Sequence, residues 1–352
     1  MILHLEELSQ ARAYEQAHPF EGLTDEQMSA IMAKGRTLFH WFKEHPAIHN
    51  TINLIVLILL FVADYFILLR LPGVFLPPGE THSWGATLAA AAVAGSLHSY
   101  LLYSIGVLSL HEGAAHRIVF VGKGRLARLA QALASNLCRL GGGEPDYYSS
   151  RHMAHHSKFG TEQDEEFLNF VFPRRYFLTF LPLATVVNFT DFVIHRPPTY
   201  TRGRILSGIV AWCYNVGYMF LVYRAYGPAV AGLMLFVFLP HVGFYVDRVR
   251  QFTEHNLMPL ENKNGARSFG TGFWGLLVGG GPWGQPCHWA HHLVPSLPWY
   301  QQIILHRFVV KLLTPCQREQ FLIRPVVGFP MLWWRLIREL YLFKPAAPAN
   351  RH

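Results

Sequence analysis

Hydrophobic residues in this chain fall into long unbroken runs, not into the short alternations of half-buried strands. A helix that crosses a bilayer needs about 20 mostly apolar residues. Four stretches meet that length: 51–69 (TINLIVLILLFVADYFILL), 86–110, 205–223 and 227–246. A fifth, 176–194, mixes Pro182, Asn188 and Asp191 into its apolar residues and reads as interfacial or re-entrant. The segment before the first span has a different pattern. Thr24 followed by Gln27 has the sequence of a capping box, and the helix behind it gathers Met28, Ile31, Met32, Leu38, Phe39 and Phe42 near one face. That is the habit of an amphipathic helix at a membrane surface. Residues 326–345, with Trp333 and Trp334 suited to the headgroup layer, read the same way. The expected architecture is an all-α integral membrane protein in three parts. They are an interfacial N-terminal segment (1–48), a domain of four transmembrane helices (49–310), and an interfacial helix with a short polar tail (311–352).

Composition supports this, with 51% hydrophobic and 15% charged residues. Charge then orients it. With four crossings, the loops near 70–85 and 224–226 face one side and hold Arg70 and Arg224 alone, while every other Lys and Arg falls on the other side. Loops rich in Lys and Arg stay in the cytoplasm. Both termini are therefore expected there, in an inner (plasma) membrane of bacterial type. The net charge of +8 needs no nucleic acid, because a basic face against anionic headgroups accounts for it. Cys138, Cys213, Cys287 and Cys316 show no C-x-x-C spacing, which argues against a disulfide framework, an iron–sulfur cluster or a zinc ribbon. The polar opening of the chain shows no cleavable signal peptide.

The candidate chemistry lies in the histidines. RHMAHHSKFG and CHWAHHLVP place His152, His155 and His156, then His288, His291 and His292, in the same pattern H-x-x-H-H. With 20 histidines in the chain, one accidental match is expected at roughly 0.06 per chain, and two at a few in a thousand. On a helix, positions i, i+3 and i+4 share a face, so each triplet is expected to aim three rings at one point. HEGAAH adds His111 and His116 at the end of the second span. Five-residue spacing does not stack on a regular helix, and Gly113 is expected to loosen the helix there. The zinc-protease motif H-E-x-x-H needs four-residue spacing, so it is rejected. His255, beside Asn256, follows the fourth span and is a ninth candidate. One four-coordinate zinc takes four ligands, so eight or nine imidazoles imply two metal ions in a helical cap. Imidazole suits zinc, copper, iron and nickel alike.

H-x-x-x-x-H, H-x-x-H-H and a distant second H-x-x-H-H, with spans between, resemble the membrane-bound fatty acid desaturase and hydroxylase superfamily over residues 50–310. The resemblance implies two non-haem irons below a four-helix membrane domain, activating O2 against an unactivated C–H bond. It implies metal ligation by His111, His116, His152, His155, His156, His288, His291 and His292. Glu254-His255-Asn256 resembles a segment that supplies a further ligand, and HHLVPSLPWY resembles the run that follows the third box. Glu112, Glu254, Asn256 and Asp164 of the run Asp164-Glu165-Glu166 are candidates to orient ring N–H groups; for that run a solvated surface is the competing reading.

The expected substrate is a membrane lipid or fatty acid, and desaturation is the leading reaction. Hydroxylation is an alternative, and so is loss of CO2 to leave a terminal alkene, the activity of a desaturase-like bacterial branch that this chain resembles in size. A decarboxylase must hold a free carboxylate near the metals. Arg151 and Lys158, flanking the second box, are the candidate anchors, against the reading that they are basic surface residues. A zinc-dependent hydrolase or a metal transporter is the different-class alternative. Asp64, His98 and His241 are the notable polar residues within spans, and the histidines read as packing or hydrogen-bonding groups. No flavin, ferredoxin or haem motif occurs, so an external electron donor is implied, a ferredoxin or a cytochrome with its reductase.

Overall fold

A computed structural model describes the chain from residue 18 onward, except residues 79–80, 162, 165–200, 262, 284, 325–326 and 339–352; of the first 17 residues it describes 12, 15 and 16. The stretch 176–194 and residues Glu165 and Glu166 lie outside the described residues. Among those described the structure is helical without strands, apart from one isolated bridge between Ser268 and Leu322.

Among the described residues four helices are long and apolar enough to cross a membrane: Pro46–Phe75, Trp84–Ala115, Arg202–Tyr226 and Pro228–His255. The chain is an integral membrane protein of the expected all-α class. The first span points Leu54, Ile55, Ile58, Leu59 and Phe66 outward and keeps Asn53, Leu57, Asp64 and Leu68 inward. Lipid rewards an apolar exterior, so polar side chains turn to the protein interior. There Asp64 meets His98 Nδ1 at 2.6 Å, Tyr214 donates to Asp64 at 3.0 Å, and Asn215 lies 3.4 Å from His98 Nε2. This network links the first three spans. The second span is the central one. Its Ala90, Ala91, Ala94 and Gly95 are buried, and a Cβ on Gly95 would sit 2.8 Å from Phe238 Cβ of the fourth span. Small residues let membrane helices approach this closely.

Two ends depart from the apolar pattern. The fourth helix runs past residue 246 to His255, because Arg250 pairs with Asp247 (3.0 Å) and Glu254 (2.6 Å) one turn to either side. Such i, i+3 and i+4 ion pairs sustain a helix where hydrophobicity has ended. At the end of the second span the turn Leu108–Ala115 is π-helical.

The N-terminal helix Asp25–Glu44 begins at the expected capping box, with both hydrogen bonds present. Its apolar face is covered by protein: Ile31 and Leu38 share a core with Trp289, Leu293, Leu305 and Val309. The C-terminal helix Gly328–Ile337 exposes Met331 and Trp334, as a helix in the headgroup layer does.

Candidate metal centre

The site sits where the second and fourth spans end. The π-helical turn settles the five-residue spacing of the first box: the His116 N–H donates to the His111 carbonyl at 3.1 Å, an i+5 bond. The wider turn brings two rings onto one face that an α-helix would separate. Gly113 is needed for a second reason, since a Cβ there would stand 3.1 Å from Ser135 Cα. The second box lies on the helix Pro145–Lys158, the third on the short helix His288–Leu293, and His255 ends the fourth span.

All nine histidines converge. His111, His116, His152 and His291 each offer a ring nitrogen within 4.8 Å of the others, and so do His155, His255, His288 and His292. His156 stands between the groups, its Nε2 at 3.1 Å from that of His152 and 2.9 Å from that of His291, its ring centroid 4.9 Å from that of His292. The expectation that each triplet aims at one point is corrected here. Each triplet is split: His152 and His155 go to different groups, and so do His291 and His288. The reason is angular. Positions i and i+4 diverge by about 40°, whereas i+3 and i+4 diverge by about 100°.

Ring nitrogens this close need something to hold them together. His111 Nδ1 lies 3.0 Å from Glu112, His155 Nδ1 lies 2.9 and 3.0 Å from the two oxygens of Asp164, and His255 Nδ1 lies 3.0 Å from the Gly265 carbonyl. A carboxylate or carbonyl accepts, so each Nδ1 carries the proton and each Nε2 presents a bare lone pair to the group. His255 Nε2 then faces His288 Nε2 at 2.8 Å, and His111 Nε2 faces His291 Nε2 at 3.0 Å. A cation bonded at about 2.1 Å to imidazole nitrogens would bring neighbouring nitrogens to about 3.0–3.4 Å apart, close to what is seen. The donor set fits two metal ions.

Burial disfavours the charged form of five of these rings. His116 is pushed down to about 3, by burial and then by the neighbouring His152. His156, His288, His291 and His292 are lowered further by burial, and adjoining rings add to it. Neutral imidazole is the form that binds metal.

Other candidates fall in various places. Glu112 also accepts the Trp299 backbone N–H (3.1 Å), tying the first box to the chain after the third. Asp164 is 0% exposed, unlike a surface carboxylate. Glu254 lies 3.7 Å from His288 Nε2 and is held by Arg250. The backbone carbonyl of the buried Asn256 accepts from Arg267. Lys158 is exposed, and half-buried Arg151 stacks on Tyr147. A cavity of about 590 Å³ lies between the second, third and fourth spans, and its wall residue Tyr148 stacks on His152. Leu110, Tyr148 and Arg250 are in its wall, with Leu102, Val107 and Leu239 further along, and neither Arg151 nor Lys158 lines it. Sequence reasoning missed the Gly265 carbonyl, Tyr148 and Arg250. Arg250, between Asp247 and Glu254 at helical spacing, was the one with a readable signal.

Comparison with known proteins gives one result. No curated protein and no solved structure matches the chain. The family model for fatty acid desaturases matches residues 83–315, more than half of the chain, including all nine histidines. Two buried imidazole groups at the end of a four-span bundle, within that match, place this chain in the fatty acid desaturase family.

Proposed function

We propose that this protein uses O2 to oxidise an unactivated C–H bond of a fatty acyl chain in the membrane, and that the product is a desaturated chain. The reading rests on one observation, two adjoining four-nitrogen groups beside a cavity between the spans whose wall residue Tyr148 stacks on His152. One ion is assigned to His111, His116, His152 and His291, the other to His155, His255, His288 and His292, with His156 able to serve either. Non-haem iron is the proposed metal. When bound, two irons would supply the O2 reduction and hydrogen abstraction that no side chain performs. The protein's own groups position and exclude. Glu112 and Asp164 hold ring N–H groups, and Glu254 lies beside His288. Leu102, Val107, Leu110 and Leu239 line a cavity whose volume is within the roughly 300–1,000 Å³ of ligand sites, keeping water from the acyl chain.

The distribution of Lys and Arg supports a cytoplasmic position for the metal centre and both termini. A reduced ferredoxin, or a cytochrome with its reductase, would meet the site from that side, drawn by the basic face.

Oxidative decarboxylation of a free fatty acid to a terminal alkene is the second reading. It needs a cation for the acid's carboxylate, and Arg250 in the cavity wall is already bonded to Asp247 and Glu254, so desaturation stays ahead. The test uses purified protein with its metals quantified, given free fatty acids, O2 and a reducing system, with products separated by gas chromatography–mass spectrometry. An unsaturated product of unchanged length supports desaturation. A terminal alkene one carbon shorter supports the second reading, and an alcohol supports hydroxylation. Stoichiometric zinc with no oxidised product would refute the oxidative function and favour a zinc hydrolase or transporter.

A further inference from the structure

The helix Arg125–Asn136 turns an uncovered apolar face outward. Leu126, Leu129 and Leu133 are 78%, 56% and 61% exposed, at the i, i+3, i+7 spacing of one face. Lys123, Arg125 and Arg128 beside them are exposed too, and no acidic residue occurs from His116 to Gly143. The following turn fixes the depth of this helix. Residues Leu137–Gly141 pack against the second and third spans, and Arg139 donates to the Gly203 carbonyl (2.8 Å) and to Ser207 Oγ (2.6 Å) at the start of the third span. A helix running directly into that turn lies at the level of the span ends, where leucines meet acyl chains and basic groups meet headgroups.

Its inner side grips the π-helical turn. Gln131 Nε2 donates to the Gly113 carbonyl (2.7 Å), and Gln131 Oε1 accepts the Phe120 N–H (2.7 Å). Ser109 Oγ donates to the Ala134 carbonyl (2.6 Å) and accepts the Cys138 N–H (2.8 Å). Both Gly113 and Ser109 lie in the turn that carries His111 and leads to His116. A π-turn is a rare insertion in a helix, and these bonds hold it from outside.

We propose that the Leu126–Leu129–Leu133 face is a docking surface for anionic phospholipid, and that seating it braces the turn presenting His111 and His116. Positive charge without a single acid, on a surface continuous with the membrane-spanning face, selects an anionic leaflet over a protein partner. The seating itself is independent of the ligand assignment proposed above; the bracing rests on it.

The test uses the full chain in nanodiscs, with the exposed Cys213 and Cys316 changed by Cys213→Ser and Cys316→Ser, and with Leu129→Cys carrying an environment-sensitive fluorophore. Spin-labelled lipid is expected to quench the label strongly in phosphatidylglycerol discs and less in phosphatidylcholine discs. Arg125→Gln with Arg128→Gln should lower the docking constant roughly thirtyfold, from about 1 kcal/mol per basic residue at an anionic surface. Release of metal to a chelator should be severalfold slower in anionic discs, and the double variant should lose that difference. Gln131→Leu should speed release while leaving quenching unchanged, which a merely structural lesion would not do. A label left unquenched in anionic discs, whether in water or under a protein partner, overturns the seating. Equal metal release from both discs overturns the bracing. A wild-type protein that takes up no metal would strike the ligand assignment, and the quenching result would still decide the seating.

Discussion

Asp164→Asn exchanges a buried carboxylate for an amide of the same shape. Both Asp164 oxygens lie within 3.0 Å of His155 Nδ1, and the side chain has no exposed surface. The amide oxygen can still accept that N–H, so the tautomer and the fold are retained. The negative charge is lost, and with it the extra strength of a charge-assisted hydrogen bond and the basicity it lends to Nε2. Replacing an outer partner of this kind costs about 10- to 100-fold in metal affinity, or about 1.4–2.7 kcal/mol. His155 belongs with His255, His288 and His292 and not with the other four, so the loss should fall on one ion of the two. Titration of the loaded protein with a competing chelator near neutral pH, with released metal counted, should give two steps, one moved by that factor and one unmoved. Asp164→Ala, which removes the acceptor altogether, should move the same step further. Two steps moving together, or neither moving, would refute the division of the nine histidines into separate groups.

Acid should destabilise the metal-free protein. The folded rings of His116, His156, His288, His291 and His292 bind protons less readily than the usual 6.5, so stability is level above pH about 6.5 and falls as pH drops toward about 3. Thermal unfolding of metal-free protein across that range checks the sign, and a melting temperature that rose on acidification would contradict it. Gly106 lines the cavity and has open space where a Cβ would point. Gly106→Leu should therefore shift the accepted chains toward shorter ones with little loss of stability, and an unchanged product profile would show that the acyl chain lies elsewhere. Gly95→Leu puts a side chain where Phe238 Cβ already stands and should cost about 1–3 kcal/mol, read from unfolding in detergent; unchanged stability would mean the second and fourth spans are not tightly packed.

Membrane helices are legible because lipid imposes a simple rule, and all four spans stand where the apolar runs placed them. Their ends are less so. The segment from Asp247 to His255 looks too polar for a span, yet Arg250 neutralises its neighbours and carries the helix to His255. The N-terminal helix shows the opposite problem. Its apolar face is plain in the sequence, but nothing in a single face says whether lipid or protein covers it, and Ile31 is covered by the core around Trp289. Asp164 was ambiguous for a related reason. One acid in a run of three reads as surface, and only the fold brings it to His155.

The histidine boxes carry more information than a list of ligands. In H-x-x-H-H the outer pair, i and i+4, lies on nearly the same side of a helix while the i+3 ring turns away. The second box sends His152, with His156 at 3.1 Å from it, toward His111 and His116, and sends His155 to the other group. The third box does the reverse: His288 and His292 stay together at 3.1 Å, and His291 crosses to the first group. The second group thus takes the outer pair of the third box and the single ring of the second, while the first takes His152 and His291, with His156 between the two. The remaining places are filled from span ends, His111 and His116 from the second and His255 from the fourth. A repeated motif on two facing helices is therefore a means of building two adjacent sites that share both helices. It also explains why the first box has different spacing. Two rings from one span end must reach the same group, and the π-helical turn braced by Gln131 and Ser109 lets them do so.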